Sequence, residues 1–233
     1  MTQLIAMQIT TLQAIFIVLM VLSLVIVLFG HFASKRSNER PDDLVGAAGR
    51  GDLARVKELL AADANSDANR SDGGIALIMA AENGDLEVAE ALLAGGVDVN
   101  FKFSDGRTDL MSACQEGHST LVQALLAKGA EVNAQASNGG AALILASGKG
   151  NLEAVRALLA KGADVNIKEG DGATALFLAC QYGYLEVVRL LVAEGADVNA
   201  KANDGESALE AATRRKHTDV KAFLLEKGAK RWQ

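Results

Sequence analysis

The sequence is poor in aromatic residues and in the residues that interrupt or cross-link a chain. Of its 233 residues, only 4% are aromatic, two are cysteine and one is proline. Because half of the residues are hydrophobic, the shortage of aromatics predicts a core of leucine, valine and alanine between closely packed helices. The net charge of −6 argues against non-specific binding to nucleic acid.

Charged side chains are absent from residues 1–34, and residues 12–29 contain only Gln13 and Ser23 as polar residues. A helix over residues 12–32 would span a hydrocarbon core about 30 Å thick, at about 1.5 Å per residue. Its surface would be apolar all round, which is wrong for a surface helix of a soluble protein. The sequence therefore predicts a transmembrane helix within residues 1–33 that contacts the lipid bilayer through residues 12–32.

A cleaved signal peptide is the main alternative for this segment. It would need a basic n-region and a shorter apolar core, and this sequence has neither. An uncleaved anchor is therefore favoured. Lys35, Arg36 and Arg40 follow the span, in a polar linker over residues 34–42. The positive-inside rule then predicts an outside N-terminus and a cytoplasmic C-terminal domain, with the periplasmic orientation as the alternative.

From residue 43 onward the sequence repeats with a period of 33 residues. A fixed period of this length predicts a solenoid of stacked supersecondary units. Four columns of residues keep the period: Leu44, Leu77, Leu110, Leu143, Leu176 and Leu209; Ala47, Ala80, Ala113, Ala146, Ala179 and Ala212; Leu59, Leu92, Leu125, Leu158, Leu191 and Leu224; and Gly51, Gly84, Gly117, Gly150 and Gly183, with Lys216 in the sixth place.

The copy at residues 171–203 shows how one unit is built. It begins with an Asp-Gly turn, and Thr174 is placed to cap a first helix. Gly183 separates this helix from a second one, which has apolar residues along one stripe. Gly195 then ends the second helix at the usual position for a C-terminal glycine. Each unit is thus a helix-turn-helix followed by an extended loop.

The pattern G-x-T-x-L-x-x-A-x-x-x-G-x-L-E-x-V-x-x-L-L-x-x-G-A-D-V-N resembles ankyrin repeats over about 190 residues. The resemblance implies an all-α solenoid with a helix-turn-helix and a β-hairpin in each repeat of about 33 residues. The proline and histidine of the family's T-P-L-H are missing, so a side-chain link between neighbouring loops is lost. About six repeats are predicted within residues 43–231: 43–71, 72–104, 105–137, 138–170, 171–203 and 204–231.

No arrangement of residues predicts catalysis. Cys114 and Cys180 share a column of small residues two repeats apart, beyond disulfide reach, which indicates structural thiols. His118 and His217 have no further ligands at metal spacing. The aspartates and glycines recur with the period and are typical of turns. We therefore expect no enzyme, no cofactor, no metal and no small-molecule substrate.

Residues that differ between copies predict a binding surface instead. In ankyrin repeats the hairpin tips and the exposed side of the first helices form a concave surface that binds proteins. Arg70 and Ser71 would lie on the first hairpin tip, and Phe103 is either an exposed anchor or a packing residue. The predicted partner-binding residues are Lys102, Phe103, Ser104, Asp105, Arg107, Gln115, Glu116, Lys149, Gln181, Tyr182, Tyr184, Arg214 and Arg215.

These observations together predict a membrane-anchored scaffold that binds a protein partner on its concave surface. Two alternatives share the same repeat domain. One is an extracytoplasmic ankyrin protein that supports an envelope or oxidant-defence enzyme. The other is an accessory subunit whose transmembrane helix packs inside a larger membrane complex.

Overall fold

The computed structural model describes residues 43–62 and 68–230. The predicted transmembrane helix and the polar linker fall in residues 1–42, outside the described part of the chain. Among the described residues, no helix combines the length and the apolar composition needed to cross a bilayer.

The described residues form twelve helices in six consecutive pairs. Each pair has a first helix, a tight turn and a second helix. The bounds are α1 Leu44–Gly49, α2 Leu53–Ala62, α3 Ala68–Asn83, α4 Leu86–Ala94, α5 Asp109–Glu116, α6 Ser119–Ala127, α7 Ala142–Gly148, α8 Leu152–Ala160, α9 Ala175–Tyr182, α10 Leu185–Ala193, α11 Ala208–Arg214 and α12 Thr218–Glu226.

The helices stack in two layers, as the repeating columns predict. Each first helix packs on the first helix of the next pair, from α1 on α3 to α9 on α11, and the second helices pack in the same way. The alanines at 80, 113, 146 and 179 are fully buried, so adjacent first helices can approach closely. Leu92, Leu125 and Leu158 are fully buried in the column of the second helices. Burying each leucine contributes about 1.5–3 kcal/mol.

Local signals in the sequence fix where the helices begin and end. The Thr174 hydroxyl accepts a hydrogen bond from the backbone N–H of Phe177, so the predicted cap is confirmed. Gly183 and Gly195 have φ angles of 80° and 91°, as required at the ends of α9 and α10. Lys216 takes a φ of 64° in the same column as Gly183, which is a left-handed conformation that disfavours a Cβ.

In the described chain, the loops that link the pairs turn back on themselves but lack the strands of the predicted β-hairpins. In the loop before α5, the Phe103 N–H donates to the Arg107 carbonyl over 2.9 Å, and the three later loops repeat this bond. Three of the loops also hold a single antiparallel bridge, such as that between Lys168 and Thr174. Within residues 43–62 and 68–230 no strand forms, because each loop turns back too soon to extend the ladder.

The predicted hairpin tip at Arg70 and Ser71 is wrong. Helix α3 runs without a break over these residues. A Cβ on Gly74 would overlap the ring of Phe101, and one on Gly73 would lie 2.9 Å from Val97 Cγ2. The two glycines therefore let apolar side chains of the following loop lie directly on the helix backbone, where the sequence predicted a hairpin tip.

Asparagine side chains join successive repeats along the loop side of the array. The Asn166 side-chain oxygen accepts from the Asp197 N–H over 2.8 Å, and its amide donates to the Gly195 carbonyl over 3.3 Å. The same two bonds link Asn133 to the next repeat. These bonds fix the spacing of neighbouring loops without the histidine of the family pattern. The four asparagines in this ladder are Asn100, Asn133, Asn166 and Asn199.

One carboxyl group lies in the core. Asp109 is 2% exposed, in a column that the second, fourth, fifth and sixth pairs fill with buried alanine. One of its oxygens accepts from the Leu110 N–H over 2.7 Å, and Oδ2 has no hydrogen-bond partner. Burial raises the pKa of Asp109 to about 7. The Ser112 hydroxyl, one turn along α5, also lacks a partner.

We predict that Asn166→Ala destabilises the fold by about 1–2 kcal/mol, because it removes two hydrogen bonds between repeats. Urea denaturation followed by circular dichroism measures the change. Gln123→Ala, on the exposed face of α6, is the control and should stay within about 0.5 kcal/mol of the parent. Equal effects for the two variants would contradict the role of the ladder.

We predict that Asp109→Ala stabilises the protein more at pH 7.5 than at pH 4.5. The ordinary pKa of 3.8 is raised to about 7 on folding, so between these values the folded state holds a proton that the unfolded state has lost. This contribution is absent below pH 3.8 and destabilises the parent progressively up to pH 7, by at most about 4 kcal/mol.

Urea denaturation at both pH values tests this prediction. Asp109→Asn is the control, because its amide keeps the shape of the carboxyl group and does not titrate. Both variants should lose the pH-dependent contribution of the Asp109 carboxyl group to the free energy of unfolding. An advantage of Asp109→Ala that stays constant with pH would contradict the prediction.

Candidate protein-binding surface

The residues predicted to bind a partner fall into two groups in the structure. Residues 102–107 lie in the loop before α5, on what we call the loop edge. The others lie at the C-terminal ends of the first helices and in the turns after them, which we call the turn edge. An eight-residue helix is about 12 Å long, so the two edges lie at opposite ends of the first helices. The turn-edge residues are Gln115, Glu116, Lys149, Gln181, Tyr182, Tyr184, Arg214 and Arg215.

Charged groups on the loop edge are largely neutralised within the chain. The Arg107 guanidinium lies 2.9 Å from an Asp105 oxygen and 3.5 Å from a Glu82 oxygen. Lys102 pairs with Glu131 over 3.2 Å. Burial raises the pKa of Glu82 despite the nearby Arg107. A partner docking here would compete with existing ion pairs.

Phe103 is half-buried, and Ser104 beside it is exposed. The Arg107 guanidinium lies 5.9 Å from the centre of the Phe103 ring, within the range of a cation–π contact. Phe103 is therefore partly covered by its own loop.

The turn edge carries the exposed large hydrophobic side chains of the described residues. Tyr182 is 51% exposed and Tyr184 is 36% exposed. Their ring centres lie 6.1 Å apart with the planes inclined by 33°. The Tyr184 ring lies against Gly150 of the preceding pair, where a Cβ would come within 2.6 Å of the ring. The glycine thus provides a flat backbone surface on which the Tyr184 ring rests.

The histidines singled out in the sequence have structural contacts on the same edge. The His118 ring lies over Gly84, with Nε2 3.1 Å from the Glu82 carbonyl oxygen. His217 repeats this contact over Gly183, with Nε2 3.1 Å from the Gln181 carbonyl oxygen. Each ring therefore joins one turn to the turn before it. In the described part of the chain, no group of three or more histidine, cysteine or acidic side chains could hold a metal ion.

From the second pair onward, the charge changes sign along the turn edge. Glu82, Asp85 and Glu116 lie in the second and third pairs, whereas the turns from the fourth pair onward bring Lys149, Arg215 and Lys216.

The cationic side chains of the later turns differ in whether they form ion pairs with described residues. Arg214 pairs with Glu206 through two hydrogen bonds of 2.8 and 2.9 Å, which raise its pKa. The exposed side chains of Lys149, Arg215 and Lys216 form no ion pair with any described residue. Sequence reasoning omitted Lys216 from the binding residues, although its place in a column of glycines was visible.

The two cysteines are unsuited to nucleophilic chemistry. Cys114 and Cys180 are free and fully buried among the first helices, as expected for structural thiols. Burial raises the pKa of both thiols far above the ordinary value. Neither can supply a thiolate at neutral pH.

Comparison with known proteins agrees with the helix pairs and their period. A family model described as ankyrin repeats (3 copies) matches residues 44–136 and 143–232. No curated protein matches the chain. Because the two matched segments cover most of the sequence and coincide with the stacked helix pairs, the chain belongs to the ankyrin-repeat family.

Proposed function

We propose that the protein is a membrane-tethered scaffold that binds a protein partner on the surface formed by its first helices and turn edge. The observation that carries the proposal is the exposed pair Tyr182 and Tyr184. Tyrosine is enriched among the residues that dominate protein interfaces, because it combines a large apolar ring with a hydroxyl group. Ankyrin repeats are protein-interaction modules, which agrees with this use of the surface.

The tether is the apolar segment at residues 12–32. A scaffold held at the bilayer raises the concentration of its partner there, so a modest affinity is sufficient for recruitment. The charges at Lys35, Arg36 and Arg40 favour a cytoplasmic repeat domain. The proposal assigns no reaction to this chain, and any chemistry belongs to the partner.

We predict that Tyr182→Ala combined with Tyr184→Ala lowers partner recovery at least about tenfold, because two exposed aromatic contacts are lost. The measurement is a crosslinked pull-down with the full chain, quantified by mass spectrometry. Circular dichroism verifies that both the parent and the variant are folded.

Phe103→Ala is the matched control, since it removes a half-buried aromatic ring from the opposite edge. Recovery should then fall by less than about twofold, since Phe103 is partly covered by its own loop. Unchanged recovery with the tyrosine variant would overturn the proposed surface. A large loss with Phe103→Ala alone would move the binding site to the loop edge.

We predict that a C-terminal fusion to a reporter active only in the cytoplasm is active, and that a fusion to a reporter active only outside it is silent. The reason is the excess of basic residues after the apolar segment. Replacing Lys35, Arg36 and Arg40 with glutamine should weaken this preference. The opposite reporter pattern would favour the extracytoplasmic alternative.

A further inference from the structure

The turn edge of the fourth to sixth helix pairs combines apolar surface with unpaired positive charge. We define this cationic patch as Lys149, Tyr182, Tyr184, Arg215 and Lys216. The Tyr184 ring rests on Gly150, the residue after Lys149, so the turns of the fourth and fifth pairs are adjacent. The His217 ring rests on Gly183, which brings Arg215 and Lys216 beside the aromatic pair in the same way.

The cations of this patch differ from others nearby. Arg214 and Lys102 each have a carboxylate within 3.2 Å. No described carboxylate forms an ion pair with Lys149, Arg215 or Lys216, and these three side chains are exposed. The patch therefore presents positive charge that the fold itself does not neutralise.

Lys216 also holds a backbone conformation that costs stability. Among the described residues it is the one non-glycine residue with a positive φ, at 64°. The equivalent turns use Gly51, Gly84, Gly117, Gly150 and Gly183. A glycine would fit this conformation without strain. Residues that the surrounding structure holds in such conformations cluster at functional sites.

We propose that the cationic patch binds an acidic segment of the partner protein in which aromatic or aliphatic side chains lie next to carboxylates. This inference rests on the proposed function and adds the chemistry of the partner. The carboxylates pair with Lys149, Arg215 and Lys216, and the apolar side chains pack on Tyr182 and Tyr184. Charge complementarity of this kind gives specificity and speeds association more than it adds affinity.

Other occupants fit the edge less well. Glu82, Asp85 and Glu116 lie on the same edge and would repel the phosphates of a nucleic acid that extended beyond the patch. A second copy could set its turns around Glu82, Asp85 and Glu116 against this patch, but the described residues of those turns offer no exposed large hydrophobic side chain comparable to Tyr182. An acidic, partly apolar segment matches both components of the patch.

The test uses the full chain in mild detergent and a fluorescent synthetic peptide of glutamates around two phenylalanines. A second peptide has glutamine in place of glutamate. Anisotropy should show at least about tenfold tighter binding of the glutamate peptide, and this preference should shrink as NaCl rises from about 50 to about 300 mM.

Charge reversal locates the site of binding. A triple variant should weaken binding of the glutamate peptide by roughly tenfold or more. It combines Lys149→Glu, Arg215→Glu and Lys216→Glu. The matched control makes the same change in net charge at exposed cations away from the patch, with Lys128→Glu, Arg156→Glu and Lys161→Glu. The control should bind like the parent.

Lys216→Gly separates binding from folding. Relief of the positive φ should raise the melting temperature by roughly 2–4 °C, whereas loss of the cation should weaken binding of the glutamate peptide by about threefold. A purely structural role for Lys216 would give the higher melting temperature with unchanged binding.

Several results would overturn the inference. These are no binding of either peptide, equal binding of both, or an unaffected charge-reversed variant. Tighter binding of a single-stranded oligonucleotide or of phosphatidylserine vesicles would also overturn it, as would self-association in sedimentation that the charge-reversed variant abolishes. If the pull-down depends on Tyr182 and Tyr184 but not on the cations, the proposed function stands and this inference fails.

Discussion

The burial of each helix pair against the next is the interaction on which the rest of the structure depends. A pair of helices this short has apolar residues that it cannot cover alone, so it is stable only inside a stack. The leucine and alanine columns satisfy this constraint in two layers, with leucine filling the space and alanine setting a close approach. A 33-residue period is the consequence, because every copy must present the same faces to both neighbours.

The polar groups of the turns and loops follow the same period. Asparagines such as Asn133 and Asn166 bind the backbone of the next repeat on the loop side. On the turn side, His118 and His217 bind a backbone carbonyl of the preceding repeat. These contacts hold the copies in register without using the exposed positions between them. The exposed positions are therefore free to differ, which is why charge and aromatic side chains vary from turn to turn along one edge.

Two residues depart from their columns, with different physical consequences. Asp109 places a carboxyl group where the second, fourth, fifth and sixth pairs bury alanine, and burial raises its pKa. Lys216 places a side chain where the other turns use glycine. Asp109 is buried in the core, so it makes the free energy of unfolding depend on pH. Lys216 is exposed beside Tyr182 and Tyr184, so it can act on a partner.

The sequence alone determined the ankyrin fold, the register of the columns, the cap at Thr174 and the buried thiols, because each depends on residue spacing within one repeat. Only the tertiary structure decided that α3 runs through Asp72, since the reason is a ring from the following loop lying on Gly74. It also decided which candidate residues are available for binding. Phe103 and Tyr182 are both aromatic residues in variable positions of the sequence. In the structure, Phe103 is partly covered by its own loop, whereas Tyr182 is open to solvent. The 33-residue period does not predict such contacts, because they depend on side chains that differ between copies.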